Sequence, residues 1–163
     1  VSGGTAGSNG GSVYIAGGGV FTMNGGKITG GTASDGRKAS VATWNGKLSF
    51  ADGTVNKIAF MGDSSNAKLV LSGSPVIGSL YIFNKDGSGN LRDFLKLSVS
   101  DLADGASIAV DMDIKGVFSD GTAEDSDSDY ARYFHAAVSG YEIVTEGGAL
   151  KLEQPEAGED EGA

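Results

Sequence analysis

Short apolar triplets cut apart by glycines open the chain, as in VYIAGGGVFTMNGGKITGGTA, residues 13 to 33. Within and after this stretch, apolar and polar positions alternate. Phe21 and Met23 flank Thr22, Leu48 and Phe50 flank Ser49, and Leu69 and Leu71 flank Val70. Period two predicts strands, because successive side chains of extended backbone point to opposite faces. Nowhere in residues 1 to 83 do apolar residues recur at helical spacing.

The pattern also repeats. VSGGTA at 1–6 returns as ITGGTA at 28–33, SVYI at 12–15 aligns with SVAT at 40–43, and FTM at 21–23 aligns with LSF at 48–50. These offsets are 27, 28 and 27 residues, and KLVLSG at 68–73 follows KLSFAD at 47–52 by 21. Offsets that stay close while loop lengths vary predict a stack of similar coils. Isolated hairpins of three-residue strands are too short to be stable. Stacked strands instead pair with their counterparts about 4.8 Å above and below, and their inward residues form one core. The glycines then turn corners. Gly17 to Gly19, Gly25, Gly26, Gly30 and Gly31 are expected there, with Asn24 and Asn45 beside them, since Gly and Asn enter the left-handed region at low cost. A phosphate cradle fits worse, because GGGVFTMNGG leads into neither a helix nor a Gly-Lys-Ser/Thr sequence.

Beyond residue 90 the strands lengthen. FLKLSVSDL (94–102) and SIAVDMDI (107–114) alternate well, and Asp104-Gly105 between them predicts a hairpin. SDYARYFHAAV (128–138) predicts a short helix capped by Ser128 or Asp129, with Tyr130, Tyr133, Phe134 and Ala137 on one face. GYEIVTEGGALKLE (140–153) predicts a second hairpin, around Gly147 and Gly148. A stack needs its last layer covered. The expected organisation is coils over 1–90, a β-rich cap with one short helix over 91–153, and an acidic disordered tail over 154–163.

Stretch 3–33 resembles the glycine-rich repeats of bacterial cell-surface proteins with a right-handed parallel β-helix, pectate-lyase-like fold. Their pattern is a Val-Tyr-Val type strand followed by Phe-Thr-Met, Asn-Gly-Gly, Ile-Thr-Gly and Asn-Thr-Ala. The segment that often follows the last repeat in such proteins is similar to GVFSDGTA (116–123), DYARYF (129–134), GYEIV (140–144) and GALKL (148–152). The resemblance implies an all-β, short right-handed parallel β-helix with a C-terminal cap, exported by an anaerobic, gut-type bacterium. It implies an extracellular location, secreted or attached to the cell surface, and no established activity.

Charge changes the picture in one respect. The formal net charge is −9. Residues 1–119 hold 10 Lys and Arg against 9 Asp and Glu, whereas 120–163 hold 2 against 12. With no basic patch to meet a phosphate backbone, nucleic acid is not expected as a partner. No apolar run approaches the roughly 18 residues of a membrane span. The absence of cysteine excludes disulfides and thiolate metal sites. No signal peptide is present, and VSGGTA stands in mid-pattern, as expected of a fragment or of a mature chain without its export signal.

Candidate chemistry is sparse, and no cofactor or metal is expected. His135, the only histidine, falls in the predicted helix among aromatics, where a Ser/His/Asp site is less natural than a structural role. Asp125, Asp127 and Asp129 alternate like calcium ligands, but an EF-type loop would need Gly at Tyr130 and Glu at Ala136. NKDGSGN (84–90) offers oxygen ligands but reads first as a loop tip. Asp111, Asp113 and Lys115 alternate on one strand face. They are the residues a polysaccharide lyase reading would use, as calcium ligands and base. Thr22, Thr29, Thr43 and Thr54 do not recur in one register, as a flat ice-binding array would need. The expected function is a non-catalytic adhesin, stalk or ligand-binding scaffold in a larger surface protein, the alternative being a carbohydrate-active β-helix enzyme. Its partners would be a glycan or host-surface ligand and further coils or domains of the parent chain. The candidate ligand-binding residues are Tyr14, Trp44 and Tyr81, outward aromatics on strands whose neighbours point inward.

Overall fold

In a computed structural model the chain is all-β, and residues 1–8, 10–33, 39–121 and 127–156 are described, with backbone alone at 127–129. Eight strands precede the cap region of the sequence and two more lie within its first part. They are β1 (Thr5–Ala6), β2 (Val13–Ile15), β3 (Val20–Ile28), β4 (Thr32–Ala33), β5 (Val41–Trp44), β6 (Lys47–Val55), β7 (Ile58–Met61), β8 (Lys68–Ile82), β9 (Leu97–Leu102) and β10 (Ser107–Met112). A 3₁₀ stretch, Asp127–Tyr133, then leads into β11 (Phe134–Ala136), and β12 (Glu142–Glu146) and β13 (Ala149–Glu153) follow.

Up to β7, consecutive strands of the first half do not pair with each other. Each pairs in parallel with the strand that follows it by one repeat. Thr5 stands opposite Thr32, Val13 opposite Val41, Phe21 opposite Leu48, and Leu48 opposite Leu69. These are the registers that the sequence repeats predict. The fifteen-residue β8 is the spine. Its first ten residues lie against β6, and its last three lie against β7. On its other side β9 pairs with Leu69–Gly73 and β10 with Val76–Ile82. β10 in turn carries β11 in parallel.

Each ladder brings like residues together on the inner face. Leu48, Leu69 and Leu97 form one inward row, and Phe50, Leu71 and Val99 the next. Ile28, Val55, Ile77, Ile108 and Phe134 form a third, and Val41, Ile58, Leu80 and Val110 a fourth. All are buried in one core cluster. Each full-sized apolar side chain withdrawn from water contributes about 1.5–3 kcal/mol, so the rows rather than the strand hydrogen bonds select the register.

Corners let the chain change ladder. At Gly73 (φ 62) the backbone takes a conformation that L side chains avoid, and a Cβ there would lie 2.0 Å from the Ala51 carbonyl oxygen. Asn45 (φ 58) turns the corner between β5 and β6. Its side-chain oxygen accepts from the backbone N–H groups of Asp63 and Ser64, which ties that corner to the next one. Asn24, expected at a left-handed corner, does not take positive φ; Gly25 and Gly26 beside it do.

Two expectations for the second half need correction. The Asp104-Gly105 segment is not a hairpin turn, because β9 and β10 pair with two different stretches of β8 and not with each other. Parallel docking on β8 buries Leu97, Val99, Ile108 and Val110 at once, and that outweighs the local turn preference. The predicted helix over 128–138 is a 3₁₀ stretch that ends at Tyr133, since Phe134–Ala136 join the ladder beside β10. His135 therefore lies on a strand, with its side chain exposed. The hairpin around Gly147 and Gly148 is present, with β12 antiparallel to β13. Leu150 and Leu152 of that hairpin are fully buried in the main core, where Phe118 and Phe134 meet at 5.7 Å between ring centroids. Parallel pairing thus crosses residue 90. Residues 157–163, most of the predicted tail, lie outside the described residues.

Urea unfolding checks the two sources of stability. Leu69→Ala is expected to cost about 3 kcal/mol, and Gly73→Ala more than about 1 kcal/mol through strain at positive φ. Thr22→Ala, on an outward position, should stay within about 0.5 kcal/mol. A Gly73→Ala variant as stable as wild type would contradict the corner described above.

Candidate functional site

The outward positions of the ladder that runs from β2 through β5 and β7 to β8 and β10 form one lateral face. Tyr14, Ala42, Ala59, Tyr81 and Asp111 share one outward row. Two residues further along each strand, Trp44 stands opposite Met61, and the Phe83 N–H donates to the Phe60 carbonyl, which continues a second row. Tyr14 and Tyr81 thus fall in one row, three strand spacings or about 14 Å apart. Trp44 falls in the row beside them. All three predicted residues face the same way, but they do not converge. Tyr14 is 45% exposed, and Trp44 and Tyr81 are half-buried.

The structure gathers a tighter group around Trp44. A groove of about 300 Å³ is lined by Trp44, Met61, Phe83, Lys85, Asp86, Gly87 and Arg92. Met61 forms its floor and belongs to a small buried cluster with Ala39, Ala42 and Ala59, separate from the main core. The inner faces of Trp44 and Phe83 pack on that cluster. The Arg92 guanidinium lies 5.7 Å from the Trp44 ring centroid and donates to the Gly62 carbonyl. Tyr81 supports Phe83 from the neighbouring row, with ring centroids 4.5 Å apart and planes tilted by 53°.

The loop NKDGSGN builds the rim. Asn84 is buried and clamps the loop to the strand end after β10, since its Nδ2 donates to the Ile114 carbonyl and its Oδ1 accepts from the Ile114 N–H, both at 2.9 Å. Asp86 accepts from the backbone N–H groups of Ser88 and Asn90, each at 2.8 Å. The Asn90 N–H, more than any other partner, holds the Asp86 carboxyl below the usual carboxylate range. The Arg92 N–H then returns to the Asn84 carbonyl and closes the loop. So the loop carries Lys85 and Asp86 to one side of the groove and brings Arg92 back over Trp44.

Phe83, Lys85 and Arg92 were missed by sequence reasoning. Phe83 was findable, because Tyr81 and Phe83 alternate with inward Leu80 and Ile82. Arg92 was not, since only the closure of the loop brings it to Trp44.

The other polar candidates are already engaged. Asp111 and Lys115 form an ion pair at 2.6 Å, and Lys115 also lies 5.4 Å from the Tyr141 ring centroid. Asp113 accepts from the Tyr81 hydroxyl at 2.8 Å. Burial first, and then this hydrogen bond and the nearby carboxylates, raise the Tyr81 phenol well above its ordinary value. Asp125 and the side chains of Asp127 and Asp129 lie outside the described residues. Among the described residues no three His, Asp or Glu side chains converge as metal ligands, and no helix is long and apolar enough to cross a membrane. Thr22 is followed on its row by Ser49 and Val70, and Thr43 is fully buried, so no threonine array forms there.

No protein-family model, curated protein or solved structure matches the chain. What the groove offers follows from its chemistry. It is shallow, walled by flat rings, and rimmed by one carboxylate and two cations. Such a surface can stack against a ring and hydrogen-bond the substituents around it.

The Tyr81 contact has a pH signature. The folded protein keeps the phenol proton at a pH where the unfolded chain releases it. Stability is therefore complete below about pH 10 and declines as pH rises toward the higher folded value. Tyr81→Phe removes this term, so the variant should lose less stability than wild type between about pH 9.5 and about pH 11. Equal alkaline slopes in denaturant titrations would show that Tyr81 contributes nothing to that decline.

Proposed function

We propose that the chain is a non-catalytic, glycan-binding section of a right-handed parallel β-helix, from the glycine-rich repeat region of an exported bacterial surface protein. Repeat-offset parallel pairing on both sides of β8 supports the coiled reading. On this proposal the strands, paired one repeat apart, wind around the main core, and crossovers between parallel strands are overwhelmingly right-handed. In this reading the coils run through β10 and β11, and the hairpin of β12 and β13 closes their end with Leu150 and Leu152. The resemblance of residues 3–33 and 116–152 to surface-protein repeats and their trailing segment supplies the setting.

The Trp44 groove carries the binding half of the proposal. Trp44 and Phe83 present half-exposed rings whose inner faces are fixed on Met61. Flat rings already held in place bind a sugar face with little loss of side-chain freedom. Polar groups at the rim, Lys85, Asp86 and Arg92, then meet ring hydroxyls. The chain is a scaffold, and the ladder spacing sets where its aromatics stand.

Trp44 is the only tryptophan, so its emission reports on the groove alone. Titration with glycans that score on an array should shift or quench it. Trp44→Ala and Phe83→Ala should each lower affinity by about tenfold or more, the range of an aromatic anchor. Tyr14→Ala, on the neighbouring strand β2 but outside the groove lining, should matter less. An array with no bound glycan, or binding indifferent to Trp44→Ala, would leave only a spacer role.

Incubation with plant or host polysaccharides should release no reducing or unsaturated ends above a blank. Release that disappears in Asp111→Asn or Asp113→Asn would instead make the chain a carbohydrate-active enzyme.

A further inference from the structure

The two ends of the stack differ. At one end the β12–β13 hairpin puts Leu150 and Leu152 into the core. At the other end β2 and the Val20–Gly26 part of β3 pair on one side only, with β5 and β6, and among the described residues no strand pairs with their other side. This edge also lacks the usual guards. Val13–Ile15 and Val20–Gly26 contain no charge and no proline, the devices that keep exposed strand edges from pairing. Val1 is 73% exposed and Val20 71%, whereas Lys47 and Lys68 occupy the Val20 position in later repeats. Val1, Phe21, Met23 and Ile28 line an open depression of about 330 Å³.

The start of the chain shows what fits there. The Val1 nitrogen donates to the Lys27 carbonyl at 2.9 Å, and the Thr29 N–H donates to the Val1 carbonyl at 3.1 Å. Together these bonds are the donor–acceptor pattern of a parallel bridge between Val1 and Ile28. Ser2 is bridged to Thr29 in the same sense, and Thr5 and Ala6 continue opposite Thr32 and Ala33. The spacing is the one that sets Val20 opposite Lys47. A template for another strand is therefore already engaged at its last residues. A second copy of the chain docking end-on would meet the step formed by residues 1–6 and could not lie flush.

We propose that the β2–β3 edge is an assembly surface whose occupant is one further turn of the same repeat, running parallel to β3 and entering the fold at Val1. The inference rests on the β-helix reading given above. Its occupant is defined by register. A residue directly ahead of Val1 falls opposite Lys27, and apolar residues are required opposite Phe21 and Met23.

Two extended chains test it. One carries a copy of residues 20–27 joined directly ahead of Val1, and the other carries a copy of residues 1–27. Equal-length Gly-Ser extensions are the controls, and amide hydrogen exchange is the readout. The short copy should slow exchange at the edge amides of Val20–Met23 by about tenfold or more and leave Val13–Ile15 unchanged. The long copy should protect both strands and raise the Tm by about 5 °C. If both copies behave like Gly-Ser, the proposal is wrong. It is also wrong if the unextended chain sediments as a dimer with those amides already protected, because the occupant is then a second copy. Should the long copy fail to fold, the short one decides alone. Fast exchange at β6 and β8 in the unextended chain would be a different failure, that of the stacked-ladder reading itself.

Discussion

Parallel pairing of each strand with its counterpart in the next repeat is the constraint on which this structure depends. Leu48 must stand between Phe21 and Leu69, and Ile58 between Val41 and Leu80. A slip of one residue in any strand would turn its buried side chains outward and bring polar ones in. The buried rows resist such a slip together, because each row touches the next through one core. Gly73 and Asn45 take left-handed backbone where β8 and the β5–β6 turn change direction, and at Gly73 the ladders to β6 and β9 each shift by one residue before pairing resumes.

How much of this was legible in the sequence varied with how local the cause was. The registers of β1 on β4, β2 on β5, β3 on β6 and β6 on β8 were legible, because the side chains that stack are nearly the same in those repeats, whereas β7 was not singled out. FTM above LSF above LVL is both a sequence alignment and a layer of the core. The second half was less legible. Asp104-Gly105 carries a strong hairpin preference, and only the presence of two free stretches on β8 overrides it. Phe134 likewise looks helical beside Tyr130 and Tyr133 until Ile108 offers it a ladder position. The lateral face was half legible. Alternation placed Tyr14, Trp44 and Tyr81 outward, but the closeness of Trp44 to Arg92 depends on a loop closed by Asn84 and Asp86.

The lateral groove is firm for a reason outside the main core. Ala42 and Ala59 point outward yet are buried, and with Ala39 and Met61 they make a second, smaller apolar cluster. Ala42 and Ala59 stand between Tyr14 and Tyr81 on that row and are themselves covered. Met61 fills the adjoining row, and the rings of Trp44 and Phe83 rest on it. One side of each ring belongs to the fold and the other to the groove. The wall is therefore set in the free protein, which would keep the ordering cost of the proposed recognition small.

The length of β8 has a kinetic meaning. Its partners β6 and β7 lie just before it in the chain, and β9 and β10 just after. Every pairing it makes closes a loop of similar size, and loop-closure entropy grows only slowly with length. No strand has to wait for a distant one. Folding can start where β8 meets β6 and grow outward in both chain directions, each new strand laid on one already in place. The barrier is then set by the first two layers and not by the height of the stack, so a taller stack would fold no more slowly than this one.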